Sequence, residues 1–197
     1  GLILPVGEWV LQSACGQLHA WHADGWHKLR MAVNLSPRQV QAPGLAAMIA
    51  RALEIFQGDP GRLELEITES LLVKHATATL EALKAVRALG VRLAVDDFGT
   101  GYSALAYLRR FPIDTLKIDR SFVHDIPGDV DDSALTTAIV AMAQSLRLEA
   151  VAEGVENEAQ RDFLRSRGCR LMQGFLFSRP LPADEITKLL AARNPKP

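Results

Sequence analysis

Short apolar runs recur along the chain, and each of them ends on a polar side chain. The clearest run extends from Val91 to Val95 and stops at two adjacent carboxylates, Asp96 and Asp97, before a loop with two glycines. This pattern is typical of a buried parallel strand whose carboxyl end opens onto a site. Comparable runs occupy residues 31–34, 63–69, 115–119, 150–154 and 170–175.

Segments with helical periodicity separate these runs, so the chain alternates predicted strands and predicted helices. The first helix is expected to bury Val6, Trp9, Val10 and Leu18. The alternation predicts a parallel sheet, and a functional polar group at each strand end is typical of a (β/α) barrel, whose active site is assembled from those ends. The predicted helices lie near residues 5–23, 44–57, 76–89, 102–110, 132–147, 156–167 and 183–193.

The predicted fold class is therefore α/β, a TIM-like (β/α)8 barrel. Such barrels usually need roughly 250 residues, whereas this chain has 197. We expect about six of the eight strands in this chain. The domain is expected to occupy residues 1–193, followed by a tail at 194–197.

Composition indicates the partners and the cellular location of the protein more than its function. A formal net charge of −1 gives no electrostatic reason to expect duplex nucleic acid as a partner. The sequence has no signal peptide and no apolar run of about 18 residues. Cys15 and Cys169 match no metal or redox spacing, which predicts reduced thiols and a cytoplasmic location, although a parent protein could be anchored to a membrane elsewhere.

Asp96 and Asp97 are the first candidates for chemistry. Neighbouring carboxylates repel each other, and cations that neutralise them make the pair tolerable at the mouth of an apolar core. Oxygen ligands of this kind suit Mg²⁺ or Mn²⁺. The alternative is a solvated Asp-Asp turn that opens a helix at Tyr102. The polar ends of the other strands favour the metal site.

Six blocks that span nearly the whole chain resemble the EAL domain, the cyclic-di-GMP phosphodiesterase module of bacteria. They follow one another in the order that the family has. The blocks are residues 33–36, 66–70, 96–103, 117–122, 152–156 and 173–180.

The Glu-Ala-Leu motif of the family lies on a strand upstream of the first of these blocks. We therefore expect the motif to precede residue 1, so that the chain holds an N-terminally incomplete domain. Glu81-Ala82-Leu83 matches the tripeptide by letter. It falls in a segment with helical periodicity, which predicts an amphipathic helix and not a strand.

The resemblance implies a metal-dependent phosphodiesterase that hydrolyses cyclic-di-GMP to linear pGpG in bacterial signal transduction, with two Mg²⁺ or Mn²⁺ ions. Two metals held about 3.5–4 Å apart supply a nucleophile and spread the charge of the phosphoryl oxygens. By its use in the family, Asp96 is the expected bridging ligand. The oxygen ligands expected for this pair are Asn34, Glu66, Asp96, Asp97 and Glu153.

Lys117 is the main catalytic candidate, since its ammonium can orient or deprotonate the attacking water. The alternative is a buried ion pair with Asp119 or Asp97. Glu153 is a second catalytic candidate. Gln173 resembles the glutamine of the family that hydrogen-bonds near the nucleophilic water, and Asp119 is expected to hold Lys117 or a ligand in place.

In the family, the loop after the aspartate pair couples the metal site to dimerisation, and Glu69 is the expected anchor of this loop. The resemblance thus implies a homodimer, with GGDEF or sensory domains fused in a parent protein. Two other functions stay open: a cyclic-di-GMP receptor without turnover, and a protein-interaction module. The loop residues are Phe98, Gly99, Thr100, Gly101, Tyr102 and Ser103.

Overall fold

The computed structural model describes residues 1–73, 76–100 and 108–193. The helices within these ranges are α1 (Ile3–Ala23), α2 (Pro37–Gln41), α3 (Leu45–Phe56), α4 (Glu69–Val73), α5 (Ala76–Arg87), α6 (Val130–Ser145), α7 (Glu158–Ser166) and α8 (Ala183–Arg193). The strands are β1 (Met31–Asn34), β2 (Leu63–Thr68), β3 (Arg92–Phe98), β4 (Thr115–Ile118), β5 (Glu149–Ala152) and β6 (Leu171–Met172).

The strands form one parallel sheet in the order β1-β2-β3-β4-β5-β6, which is their order along the chain. The sheet is curled and carries helices, as in half of a barrel. The α/β class, the parallel sheet and the six strands predicted from the sequence are therefore confirmed. Because all strands run the same way, their carboxyl ends meet at one edge, which we call the upper end, and their amino ends form the lower end.

The main core lies between the sheet and the helices. In β2, Leu63, Leu65 and Ile67 are buried in this core, so the intervening glutamates face the opposite side of the sheet. Ile49 of α3 and Leu83 of α5 are buried in the same core. The alternation of β2 thus separates an apolar outer face from a charged concave face.

The predicted buried side of α1 is wrong except for Leu18. Val6, Trp9 and Val10 are exposed, and Trp9 retains 67% of its accessible surface. The buried stripe consists of Leu11, Cys15 and Leu18, which follow one another at helical spacing. Two opposite stripes of this helix are apolar, so hydrophobic periodicity alone could not identify the packed one.

Two short helices, α2 and α4, were absent from the sequence-based prediction. Both follow strands directly, and α2 starts with a capping box formed by Ser36 and Gln39. Most of the helix predicted at 102–110 and the tail at 194–197 lie outside the described residues. Among the helices that the structure describes, none is long and apolar enough to span a membrane.

Candidate active site

Lys117 lies at the centre of a group of carboxylates at the upper end. Its Nζ lies 2.7 Å from Oε1 of Glu153, 2.9 Å from Oε2 of Glu66 and 2.9 Å from Oδ1 of Asp96. These contacts join β2, β3 and β4 to the residue that follows β5. Lys117 is almost completely buried. The ion pair considered from the sequence therefore exists with three carboxylates, none of which was the partner expected.

A β-bulge explains how two adjacent aspartates reach one site. Three residue steps on β3, from Val95 to Phe98, face only two steps on β4. In a regular strand the side chains of Asp96 and Asp97 would point to opposite faces. The extra residue turns the backbone, and Asp97 takes a left-handed φ of 54°. Aspartate tolerates this conformation better than most residues other than glycine.

The carboxylates of Asp96, Asp97 and Glu153 could hold a metal ion, because one oxygen from each lies within 4.8 Å of the others. Oδ1 of Asp96 is buried and, among residues 1–73, 76–100 and 108–193, accepts no hydrogen bond in addition to its ion pair with Lys117. Carboxylate oxygens are the ligands that Mg²⁺ and Mn²⁺ prefer. The donor set therefore fits a divalent cation. Glu66 approaches the same site through Lys117.

The upper end has a surplus of negative charge, since one ammonium faces four carboxylates. Burial raises the pKa of Glu66, and the negative charges of Asp96 and Glu153 raise it further. Lys117 lowers this pKa, but by less than the other effects raise it. Burial and the other carboxylates likewise raise the pKa of Glu153 and of Asp97. Burial opposes the charge of Lys117, but its three carboxylate contacts outweigh that effect and raise the pKa of the ammonium. A bound cation would relieve this repulsion.

Three further predicted residues lie at or beside the upper end. Asn34 ends β1 next to Glu66 in the sheet register, and it is exposed. Gln173 is also exposed, and its backbone N–H donates to the carbonyl of Ala152 at the end of β5. Asp119 accepts hydrogen bonds from Ser121, which outweigh the effect of burial and lower the pKa of this carboxyl. The charged partners of Lys117 are the carboxylates described above, and not Asp119.

The loop after the aspartate pair is tied to the start of α4 by Glu69, a buried residue whose Oε2 accepts a hydrogen bond of 3.0 Å from the N–H of Gly99. Gly99 has a φ of 100°, and a Cβ here would lie 2.7 Å from the ring of Phe122. Only glycine fits this position. Phe98 is buried, and Thr100 Oγ1 donates to the carbonyl of Asp97. The other predicted loop residues, Gly101, Tyr102 and Ser103, lie outside the described residues.

Sequence reasoning missed a second charged group, at the lower end of the concave face. Arg30, Glu64, Arg92 and Glu149 form this group, which we call the lower ring. Arg92 Nε lies 3.1 Å from Glu64, and its Nη2 contacts Glu149. Arg30 lies 2.8 Å from Glu149 and 3.5 Å from Glu64. The usable signal was alternation, because Glu64 must share a face with Glu66.

The Glu81-Ala82-Leu83 tripeptide lies within α5, as predicted. Glu81 is exposed and pairs with Lys84 one helical turn away, at 2.9 Å. Leu83 is buried in the core. This tripeptide is therefore part of a surface helix and has no place at the upper end.

A parallel α/β sheet with acidic residues gathered at the carboxyl ends of its strands defines a barrel-type protein with a candidate metal site. Residues 1–180 match the family model described as EAL domain. The chain belongs to the EAL-domain family, as the resemblance predicted.

Named relatives show what this chain is similar to. It is 46% identical over 191 residues to the bifunctional diguanylate cyclase/cyclic di-GMP phosphodiesterase MucR of Pseudomonas aeruginosa, covering 97% of this chain and 28% of MucR. It is 47% identical over 192 residues to the cyclic di-GMP phosphodiesterase NbdA of the same organism, covering 98% and 24%. The chain thus spans about a quarter of the length of these curated relatives.

The fold is also that of a solved relative. The structure of the PaMucR phosphodiesterase in complex with c-di-GMP superposes with a TM-score of 0.90 at 47% identity. The match covers 94% of this chain and 75% of the solved one. The arrangement of strands described above is therefore the arrangement of an EAL domain.

Proposed function

We propose that this chain carries the catalytic site of a cyclic-di-GMP phosphodiesterase that releases linear pGpG and requires two Mg²⁺ or Mn²⁺ ions. One observation carries the proposal: Asp96, Asp97 and Glu153 converge within metal-ligand distance beside a buried lysine. The names of MucR and NbdA, which are called cyclic di-GMP phosphodiesterases, support the choice of substrate.

The chain would hold the metals through oxygen ligands on β1, β2 and β3 and on the residue that follows β5. In this proposal, Asp96, Asp97 and Glu153 would supply carboxylate oxygens to the ions, and Asp96 would be the ligand that the family's use suggests as shared. Asn34 and Glu66 complete the set from β1 and β2. When bound, such a pair of ions supplies a strong nucleophile from water and neutralises charge on the phosphoryl oxygens.

Lys117 would act as a hydrogen-bond donor, because its surroundings favour the ammonium form over the neutral amine. A donor beside the reacting phosphate orients water and stabilises the negative charge that grows in the transition state. Of the two roles predicted from the sequence, orientation of water is thus favoured over its deprotonation. Gln173 would hydrogen-bond near the same water.

Regulation and setting belong to the proposal as well. Glu69 would transmit the state of the loop to the metal site through its hydrogen bond with Gly99, in a homodimer. Fused GGDEF or sensory domains would control the activity in a longer parent protein. Two buried free thiols, Cys15 and Cys169, support a cytoplasmic location.

The decisive experiment is a hydrolysis assay with the natural full-length protein. Chromatography should show conversion of cyclic-di-GMP to pGpG with Mg²⁺ or Mn²⁺ and none with EDTA. Asp96→Asn should lose the activity. Tight binding of cyclic-di-GMP without any pGpG would reject the phosphodiesterase and leave a receptor, and absence of binding would leave an interaction module.

A further inference from the structure

The lower ring and the upper end share the concave face of the same strands. Glu64 and Glu66 are two residues apart on β2, so about 6.6 Å of strand separates the two levels. The lower ring contains two guanidinium groups and two carboxylates, and it therefore balances its own charge. The upper end needs uncompensated carboxylates if it is to attract cations.

Arg92 is the positive group of the lower ring that could reach the upper end and reduce its negative charge. It pairs with Glu64 in the sheet register, and Ala94 pairs with Glu66 one level higher. Ala94 is buried and contributes only a methyl group between the two levels. A long side chain can reach a diagonal neighbour on the adjacent strand. Arg92 therefore has a route towards Glu66.

Glu64 holds Arg92 at the lower level together with Glu149 and Thr115, which accept hydrogen bonds from Nη2 of Arg92. Oε2 of Glu64 contacts Arg92 Nε at 3.1 Å and accepts a hydrogen bond of 2.7 Å from Oγ1 of Thr115. Glu64 is buried and Thr115 is fully buried, so these contacts are protected from water. A buried carboxylate with two such partners is fixed in place.

We propose that Glu64 is a positioning residue for the metal site, because it neutralises Arg92 and keeps this guanidinium away from Glu66 and Asp96. The inference rests on the proposed metal site at the upper end. Without the charge of Glu64, the guanidinium would repel divalent cations one level above and compete with them for Glu66. The lower ring thereby preserves the acidity of the upper end.

The test measures the Kd for Mn²⁺ by calorimetry, without substrate, in the natural full-length protein and its variants. Glu64→Gln should raise the Kd about tenfold, as expected when a residue that supports metal ligands is lost. Arg92→Gln should leave the Kd unchanged or lower it, since it removes the competing charge. The double variant should bind Mn²⁺ within about twofold of the natural protein.

The sign of these effects separates positioning from a structural role. A general loosening of the sheet would weaken Mn²⁺ binding in both single variants and most of all in the double variant. Glu81→Gln is the matched control, since it makes the same change at an exposed site on α5. If Glu64→Gln prevents folding, Glu149→Gln replaces it, because Glu149 is the more exposed partner of Arg92. The Kd for Mn²⁺ should then rise by less than the roughly tenfold expected for Glu64→Gln.

Three results would overturn the inference: an unchanged Kd in Glu64→Gln, an equal rise in Arg92→Gln, or a double variant as weak as the single one. If Glu149→Gln is used in place of Glu64→Gln, the same three results, measured with that variant and with its double variant with Arg92→Gln, would overturn the inference. A natural protein that binds Mn²⁺ but does not hydrolyse cyclic-di-GMP would reject the proposed function and leave this inference intact. A natural protein that does not bind Mn²⁺ would reject both.

Discussion

The two ends of the concave face use charge in opposite ways. At the lower end, two arginines meet two glutamates, and every charge has a partner. At the upper end, Lys117 faces an excess of carboxylates. At the lower end, the pKa of Glu149 is lowered, because its bonds with Arg30 and Arg92 outweigh the effect of burial. At the upper end, burial and the repulsion of neighbouring carboxylates raise the pKa of Glu66.

This difference indicates which end is built for stability and which for chemistry. A balanced ring of ion pairs needs nothing from outside, while a cluster of surplus carboxylates is stable only with protons or cations. Residues at the carboxyl ends of barrel strands carry the reactions of such folds, and the amino ends support the structure. The predictions below test this division, beginning with the largest expected effect.

Replacing Lys117 by alanine should lower the turnover of cyclic-di-GMP by a factor on the order of 10² or more, because the positioned donor is lost. Metal-dependent affinity for cyclic-di-GMP should change far less. Steady-state kinetics and equilibrium binding separate these two quantities. Lys84→Ala, on the exposed face of α5, is the control and should retain full turnover. Near-normal turnover in Lys117→Ala would reduce this lysine to a structural ion pair.

Thr115→Val should destabilise the fold without impairing the reaction. The substitution removes a buried hydroxyl that donates to Glu64 and accepts a hydrogen bond from Arg92. Loss of the bond to the charged acceptor Glu64 alone should lower the free energy of unfolding by about 1.5–3 kcal/mol. Turnover should stay within about twofold of the natural protein, because the contacts of Lys117, for which a catalytic role is proposed, remain. Urea unfolding and the hydrolysis assay give the two values.

Thr137→Val is the control for that experiment. Its hydroxyl donates to a neutral backbone carbonyl within α6, so its loss should cost about 1 kcal/mol or less. An equal cost in both variants, or a large fall in turnover in Thr115→Val, would contradict the assignment of the lower end to stability.

The two ends should respond to pH with opposite signs when no metal is bound. The raised pKa of Glu66 means that protonation stabilises the folded state, and this contribution is lost as the pH rises through the folded pKa. The lowered pKa of Glu149 means that ionisation stabilises the folded state, and this contribution is lost as the pH falls through the folded pKa.

Urea unfolding in EDTA between about pH 2 and pH 8 measures both effects, because the lowered pKa of Glu149 places its loss of stability at the acidic end of this range. Glu66→Gln should reduce the loss of stability on the alkaline side, to which Glu153 and Asp97 also contribute. Glu149→Gln should reduce the loss on the acidic side. Saturating Mn²⁺ should also remove the alkaline loss, because the cation replaces the proton. The contrast between the ends fails if Glu66→Gln leaves the alkaline loss unchanged.

The smallest effect is expected at Glu81. Glu81→Gln removes an exposed ion pair with Lys84, which is worth about 0.3–0.5 kcal/mol on a helix. Turnover and the Kd for Mn²⁺ should equal those of the natural protein. A loss of turnover would mean that this tripeptide contributes to the site after all.

The sequence predicted the parts of the molecule that depend on local pattern. Alternation in 63–69 and the polar strand ends placed Glu66, Asp96 and Lys117 at one edge of a parallel sheet, because that geometry follows from strand period and direction. The sequence pattern could not predict the bulge at Asp96 and Asp97, because this bulge depends on the register of β3 against β4.

The contacts of the lower ring were beyond sequence reasoning for a similar cause. Arg30 and Glu149 are 119 residues apart, and only the order of the strands brings them together. The exposed apolar stripe of α1 that contains Trp9 shows that a pattern can predict an element correctly and still not predict how it packs. Hydrophobic periodicity identified the helix, but tertiary packing decided which of its two apolar sides is buried.

Metal-dependent thermal unfolding tests the central claim most directly. In the natural full-length protein, Mg²⁺ or Mn²⁺ at about 100 times its Kd should stabilise the fold by about 2.7 kcal/mol and so raise the Tm relative to EDTA. Asp96→Asn should abolish most of that rise, because the cluster loses one of its three carboxylates. A Tm that neither cation changes, or an undiminished rise in Asp96→Asn, would contradict a metal site at the upper end.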